Sequence, residues 1–253
     1  MSAPLFFADA SSCEGFEGAG SLLPGSTLLL GGAEGRHAAT VRRVGVGERV
    51  DVADGVGLVA RCVVLAAAGD SVRLSVLSVA QVPPASPRFV LVQALAKGGR
   101  DELAVETATE LGVDEVVPWQ AARSVVQWRG ARGDKARAGW AATARAAAKQ
   151  CRRPRVPVVS ALEVGTDVRS RISVASLAVV LHEEASLPLA EVALPSAGDV
   201  LVIVGPEGGI SPDELALFTG AGALACRLGP WVLRSSSAGP AALAVLSAAA
   251  RWR

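Results

Sequence analysis

A chain of 253 residues, 51% hydrophobic and with a formal net charge of +1, holds enough apolar material for one large domain or two modest ones. No apolar stretch approaches the roughly 20 uninterrupted residues of a membrane span, and Met1–Ala10 lacks the basic flank and apolar run of a signal peptide, so the expected location is cytoplasmic. The cysteines Cys13, Cys62, Cys151 and Cys226 form no CxxC pair and only His37 and His182 offer imidazoles, which excludes a His-rich metal centre and leaves a disulfide framework unsupported.

The first eighty residues read as short strands between glycine-containing turns, at Thr27–Leu30, Arg49–Val52, Leu58–Leu65 and Val72–Ala80, with Ala53-Asp54-Gly55 as a tight hairpin. Glu34–Val44 is the one helical stretch among them. The pattern suggests a small β-barrel over residues 1–82. Gln81–Pro87, with Pro83, Pro84 and Pro87, continues neither a helix nor a central strand and reads as a linker.

From residue 83 to 253 strands alternate with longer helices, as in an α/β domain with a mainly parallel sheet. Phe89–Ala94 is a buried strand, Asp101–Leu111 a helix stopped by Gly112, and Glu115–Pro118 a second strand. Lys135–Gln150 is an Ala-rich helix with its Arg and Lys mostly on one side. It lies within a basic run from Arg123 to Arg155, which holds ten basic residues against the single acid Asp134. Such a run suits nucleic-acid phosphates and equally suits a solvated helix face. Leu177–Leu181 and Leu201–Val204 are further apolar strands, and Ala238–Ala250 is the closing helix.

Leu201–Leu215, LVIVGPEGGISPDEL, runs from an apolar strand through Gly205-Pro206-Glu207-Gly208-Gly209 into a capped helix start, with Ser211 as N-cap, Pro212 in the first turn and Glu214 completing a capping box. Glycines at the carboxyl end of a strand let the backbone approach a ligand and expose its N–H groups. Neither GxGxxG nor GxxxxGK[ST] occurs in this turn, so dinucleotide binding and P-loop phosphate transfer lose their signatures. Leu228–Leu246, LGPWVLRSSSAGPAALAVL, leads from a Gly229-Pro230 loop through the polar patch Arg234–Ser237 into an apolar helix, and Val179–Glu184 ends a strand with Leu181-His182-Glu183-Glu184. The three strand ends are expected at one sheet edge, where open α/β sheets bind ligands. Their backbone amides and carbonyls suit an adenine edge and an amino-acid group better than phosphates.

In this order and position, the three segments resemble the cofactor-binding loops of the SPOUT superfamily of trefoil-knotted RNA methyltransferases, and within it the RsmE family of 16S ribosomal RNA uridine-N3 methyltransferases. The resemblance spans nearly the whole chain. His37–Arg43, HAATVRR, with Gly47 and Asp54-Gly55 is similar to the family's PUA-like RNA-binding domain. Lys97–Gly112, KGGRDELAVETATELG, with Arg123-Ser124-Val125 resembles the opening of its catalytic domain, and Gln150-Cys151-Arg152-Arg153 with Val156-Pro157 resembles its QCxR…VP segment. GPEGG and LGPxVLR are the most specific pieces. Lys149, where the family usually has an acid, and Trp231, where a basic residue is common, depart from the pattern.

The resemblance implies a C-terminal α/β domain with a deep trefoil knot, a PUA-like barrel before it, a homodimer, no metal, and S-adenosyl-L-methionine held by Leu181, Gly205, Gly208, Leu228, Gly229, Val232 and Leu233, chiefly through main-chain atoms. A valine at Gly208 is expected to fill the space through which the backbone approaches the cofactor. Methylation at uridine N3 needs an oriented methyl donor and stabilisation of the charge that builds on a uracil oxygen. Arg234 is the leading candidate for that stabilisation, and Glu207 is a candidate proton acceptor that could instead bond loop amides. Arg42, Arg43, Arg123, Arg152 and Arg153 are the candidate RNA contacts, with the small ribosomal subunit as partner. His37 reads better as a helix cap than as an RNA contact, His182 as outside the chemistry, and Cys151 as a structural thiol, since N3 methylation needs no covalent adduct. Two rivals remain: a SPOUT enzyme acting on another RNA target such as a ribose 2′-hydroxyl, and a non-catalytic RNA-binding or assembly factor.

Overall fold

The computed structural model describes residues 3–8, 11–16 and 22–252, so part of the amino-terminal segment read for a signal peptide lies outside the described residues. The chain divides into two compact units, Met1–Pro84 with Ala148–Val156, and Ala85–Ala147 with Pro157–Arg253.

The first unit contains β1 (Leu5–Phe7), β2 (Cys13–Glu14), β3 (Thr27–Leu30), α1 (Gly32–Arg36), β4 (Arg49–Ala53), β5 (Leu58–Ala68) and β6 (Ser71–Gln81). The strands form one sheet in the order β1-β4-β5-β6-β3-β2, antiparallel except for the parallel pair β1 and β4. Alternation drives it: Val50 and Val52, Ala60, Cys62 and Val64, and Val72, Leu74 and Val76 point into one core with Phe6, Leu28 and Leu30. The hairpin between β4 and β5 is wider than the tight turn expected at Ala53-Asp54-Gly55. Ala53 stays in the strand, and the Asp54 carboxylate accepts from the backbone N–H of Val56 at 2.7 Å and of Leu58 at 3.0 Å, which sets a four-residue loop.

The helix expected at Glu34–Val44 is shorter and irregular. It begins at Gly32, passes into a π-helical turn at His37–Val41 and ends where Arg43 adopts φ +53°. A Cβ at Gly35 would collide with the carbonyl oxygens of Leu30 and Asp70, so this turn lies hard against the strands. Lys149 belongs to this unit. Its Nζ donates to Glu34 Oε2 at 2.7 Å and stands 2.6 Å from His37 Nδ1. The first of the two departures from the family pattern is thus an internal strut, and burial followed by the Lys149 charge lowers the His37 pKa from its ordinary value.

The second unit runs β7 (Arg88–Ala94), α2 (Arg100–Glu110), β8 (Glu115–Trp119), most of α3 (Gly130–Gln150), β9 (Val158–Val159), α4 (Gly165–Val174), β10 (Leu177–Leu181), β11 (Leu187–Pro188), β12 (Asp199–Val204), α5 (Pro212–Gly220), β13 (Leu224–Arg227) and α6 (Ser235–Ala250). The seven strands are all parallel, in the order β11-β13-β10-β12-β7-β8-β9. Both faces are covered, which is why β7, β8 and β12 read as continuous apolar runs rather than alternating ones. Val90, Val92, Val180, Leu201 and Ile203 pack with Val168 and Ile172 of α4 and Phe218 of α5. On the opposite face Gly239 of α6 sits against Leu91 and Val204, close enough that a Cβ there would lie 2.8 Å from Leu91 Cδ1.

Arg251, just past α6, locks this unit's closing helix. Its guanidinium donates to Gly112 O at 2.6 Å, Pro87 O at 2.5 Å and Asp114 Oδ2 at 2.5 Å, and it lies 3.8 Å from the Phe89 ring centroid. Truncation would leave Asp114 and two carbonyls without this partner in a largely buried setting. Arg251→Ala is therefore expected to destabilise the domain by about 3 kcal/mol in urea unfolding.

Candidate functional site

The carboxyl ends of β10, β12 and β13 are neighbours in the sheet, because β10 pairs with both of the others. The segments that leave them form a cleft of about 730 Å³ lined by Leu181–Glu184, Val204–Ile210, the amino end of α5, Val232–Leu233, Arg234, the start of α6, Arg100 and Arg123. That volume suits a ligand of nucleoside size.

The loop after β12 holds its shape through its own residues. Gly209 N donates to Pro206 O at 2.9 Å in a turn that ends with Gly209 at φ +73°. Ile210 folds back so closely that a Cβ on Gly205 would lie 2.6 Å from Ile210 Cγ1, so only glycine fits there. The expected capping box is present: Glu214 N donates to Ser211 Oγ at 3.3 Å and Ser211 N to Glu214 Oε2 at 3.1 Å. The second Glu214 oxygen accepts from Ala122 N at 2.7 Å, so one buried carboxylate ties the segment after β8 to the start of α5. That bond brings Arg123 beside the loop, where its Nη1 donates to Gly208 O at 3.1 Å.

Gly208 packs against Arg123, and both residues line the cleft. A Cβ at Gly208 would come 3.2 Å from Arg123 Cβ and 3.3 Å from Arg123 O. A valine there would therefore press on Arg123 within the cleft that both residues line, a contact the sequence alone does not reveal.

Glu207 Oε1 accepts from Lys97 N and from Arg100 Nη1, each at 3.2 Å. Partial burial pushes its carboxyl pKa up, but its own backbone N–H, that of Lys97 and the Arg100 charge outweigh this and hold it below the ordinary carboxylate value. The group is thus a clamp between the loops after β7 and β12. Arg100 is a cleft residue that sequence reasoning did not single out, although it stood within KGGR.

Arg234 occupies the N-cap of α6, and its carbonyl accepts from Ser237 N and Ala238 N, both at 2.9 Å. Among the described residues its exposed guanidinium makes no hydrogen bond or ion pair, in contrast to those of Arg100 and Arg123. Ser235, next in the chain, is 7% exposed, and its Oγ has no hydrogen-bond partner among the described residues.

Leu181, Gly205, Glu207, Gly208, Val232, Leu233, Arg123 and Arg234 therefore share one cleft. Leu228 and Gly229 line a separate hollow of about 250 Å³ with Pro188, Leu189 and Val245. Arg42, Arg43, Arg152 and Arg153 fall in the first unit, with Arg152 at φ +62° in the turn after α3. Trp231, the second departure, is 82% exposed. Cys13, Cys62 and Cys226 are buried, and burial pushes the Cys62 thiol up to about 12, so it is inert as a nucleophile at neutral pH. Among the described residues no three His, Cys, Asp or Glu side chains gather as a metal would require.

Residues 84–247 match the family model of an RNA methyltransferase domain and residues 30–77 that of an RNA methyltransferase PUA domain. The chain is 47% identical over 233 residues to ribosomal RNA small subunit methyltransferase E of Mycobacterium bovis, covering 90% of this chain and 89% of the relative. It is 29% identical over 229 residues to the Bacillus subtilis protein of the same name, covering 87% and 90%. Among solved structures it is similar to a Legionella pneumophila methyltransferase in complex with the bound cofactor SAM, at 28% identity, 99% coverage of both chains and a TM-score of 0.83.

Proposed function

The chain belongs to the RsmE family of small-subunit ribosomal RNA methyltransferases, and from that premise we propose that it methylates the N3 atom of a uridine in 16S ribosomal RNA. It is an enzyme, and its methyl donor is S-adenosylmethionine. The observation that carries the reading is the cleft at the carboxyl ends of β10, β12 and β13, of nucleoside size and lined by the Gly205–Gly209 loop, apolar side chains and Arg100, Arg123 and Arg234.

The residues present fit that cofactor. Leu181, Val204, Ile210, Leu215, Val232 and Ala238 offer apolar walls to an adenine, and the glycine loop and the 228–234 loop offer main-chain donors and acceptors. Leu181, Gly205, Gly208, Val232 and Leu233 would make the contacts, with Leu228 and Gly229 shaping the second loop from beneath. The bound cofactor supplies an electrophilic methyl group. Glu207 holds the loops after β7 and β12 at a fixed spacing, and its lowered pKa, which makes the carboxylate a weaker base, argues against a proton-acceptor role. Arg234, with no partner among the described residues, is available to neutralise charge on a uracil oxygen.

Several further features belong to the same reading. The trefoil knot belongs to this proposal through the family membership alone. The exposed apolar residues Trp231 and Val232 beside the cleft support a homodimer that buries them. Arg42, Arg43, Arg152 and Arg153 in the first unit, with Arg123 at the cleft, are proposed to grip RNA phosphates. Among the described residues no helix is long and apolar enough to cross a membrane. A cytoplasmic location is proposed from the ribosomal RNA substrate.

Nucleoside analysis of 16S ribosomal RNA from cells with and without the gene tests the reading. Loss of 3-methyluridine is expected. Loss of a ribose 2′-O-methyl group instead would overturn the assignment of the target atom, and retention of every methylated nucleoside would overturn the reading itself.

A further inference from the structure

α6 begins without a cap. Its N-cap residue Arg234 makes no side-chain capping bond, and no acidic residue stands in its first turn. The N–H groups of Ser235 and Ser236 are among the four that an α-helix leaves unpaired at its amino end, where the partial charges of a 16-residue helix also accumulate. Ser, Thr, Asp and Asn are preferred at that position, as Ser211 of α5 shows, whereas α2 and α4 start on Gly99 and Val164 but carry acidic residues in their first turns. A second, independent feature marks the same spot. Ser235 lines the cleft, is 7% exposed, and carries a buried Oγ with no hydrogen-bond partner among the described residues. An unpaired hydroxyl of this kind costs about 1–3 kcal/mol unless something outside the protein pairs with it.

We propose that Ser235 Oγ and the uncapped amino end of α6 are the donors for a carbonyl oxygen of the target uracil, making Ser235 a catalytic residue beside Arg234. This rests on the uridine-N3 reading above. When N3 loses its proton to a water molecule of the open cleft, the negative charge spreads onto the two carbonyl oxygens that flank it. The N3 lone pair then forms the bond to the methyl carbon, the bond from that carbon to sulfur breaks with its electron pair staying on sulfur, and the charge on the oxygens is discharged. A donor aimed at one of those oxygens lowers the cost of the first event and is strongest when the charge is largest. Arg234 at the N-cap and the helix terminus itself both supply positive potential, and no acidic residue stands in the first turn of α6. The same chemistry would also suit the carboxylate of the cofactor, and the two ligands separate cleanly by experiment.

Ser235→Ala removes one atom from a buried site, and its melting temperature verifies that the fold persists. The expected result is a fall in kcat of about 100-fold on small-subunit RNA, an affinity for S-adenosylhomocysteine by calorimetry within about twofold of the parent, and a rate that climbs further into the alkaline range as N3 ionisation becomes the harder step. Ser235→Thr, which keeps the hydroxyl, is expected to recover most of the rate. A matching loss of S-adenosylhomocysteine affinity, with binding of 5′-methylthioadenosine unchanged, would assign the site to the cofactor carboxylate and overturn the proposal. An unchanged kcat would overturn it as well. Both results leave the methyltransferase reading intact, whereas parent protein that makes no 3-methyluridine defeats that reading before Ser235 is tested.

Discussion

Arg234→Ala is expected to reduce methyl transfer to small-subunit RNA by about 100-fold or more in kcat while S-adenosylmethionine affinity stays within about twofold. The split follows from what the guanidinium does and does not touch. Arg100 and Arg123 also line the cleft, yet each is engaged, one by the Glu207 carboxylate and the other by the Gly208 carbonyl. Their loss would loosen the loop after β12 and would register first in cofactor affinity. Arg234 holds no such bond among the described residues, and its structural contribution runs through its backbone carbonyl, which alanine retains. The charge is therefore free for the substrate. Calorimetry with S-adenosylmethionine and single-turnover kinetics on the same preparation separate the two effects, and a variant that loses affinity and turnover equally would reassign Arg234 to cofactor binding.

The cleft was legible in the sequence because its parts are local. An apolar strand running into GPEGG, a Ser-Pro-x-Glu helix start and a Gly-Pro loop before an apolar helix each announce themselves within a few residues. Their convergence needed only the general position of ligand sites in parallel sheets. The long strands and helices were similarly plain, with boundaries off by a few residues: α3 starts at Gly130 where Lys135 was expected, and α6 at Ser235 where Ala238 was expected. Strands of two to four residues, such as β2, β9, β11 and β13, give too short a period to read. So β13, whose end positions the second loop, was missing from the sequence reading although the loop itself was found. Long-range pairings were also invisible. Nothing in the sequence joins Glu214 to Ala122, Glu207 to Lys97, or Lys149 to Glu34, since each partner lies roughly a hundred residues away. The orphaned Ser235 hydroxyl is legible only as the absence of such a pairing.

The same distinction between local and tertiary constraint makes Gly205 the sharpest test of the cofactor site. Its backbone is not left-handed, so its identity is a matter of space. A Cβ would lie 2.6 Å from Ile210 Cγ1 and 3.3 Å from Ile210 N, and Ile210 is itself 7% exposed, wedged into the core beneath α4 and α5. Valine at position 205 must therefore drive the loop outward from a residue that cannot retreat, which displaces the turn from Pro206 to Gly209 and the clamp at Glu207 with it. Gly205→Val is expected to weaken S-adenosylhomocysteine binding by about 100-fold, the scale set by overpacking penalties of a few kcal/mol. Gly229→Ala provides the contrast: a Cβ there meets nothing within 4 Å, so affinity should hold within about twofold. Equal losses in the two variants would mean that glycine serves both loops through flexibility, and equal retention would remove the loop after β12 from the cofactor site. An affinity lost only at Gly205 identifies the close approach of Ile210 as what fixes that loop's backbone in the geometry that receives the cofactor.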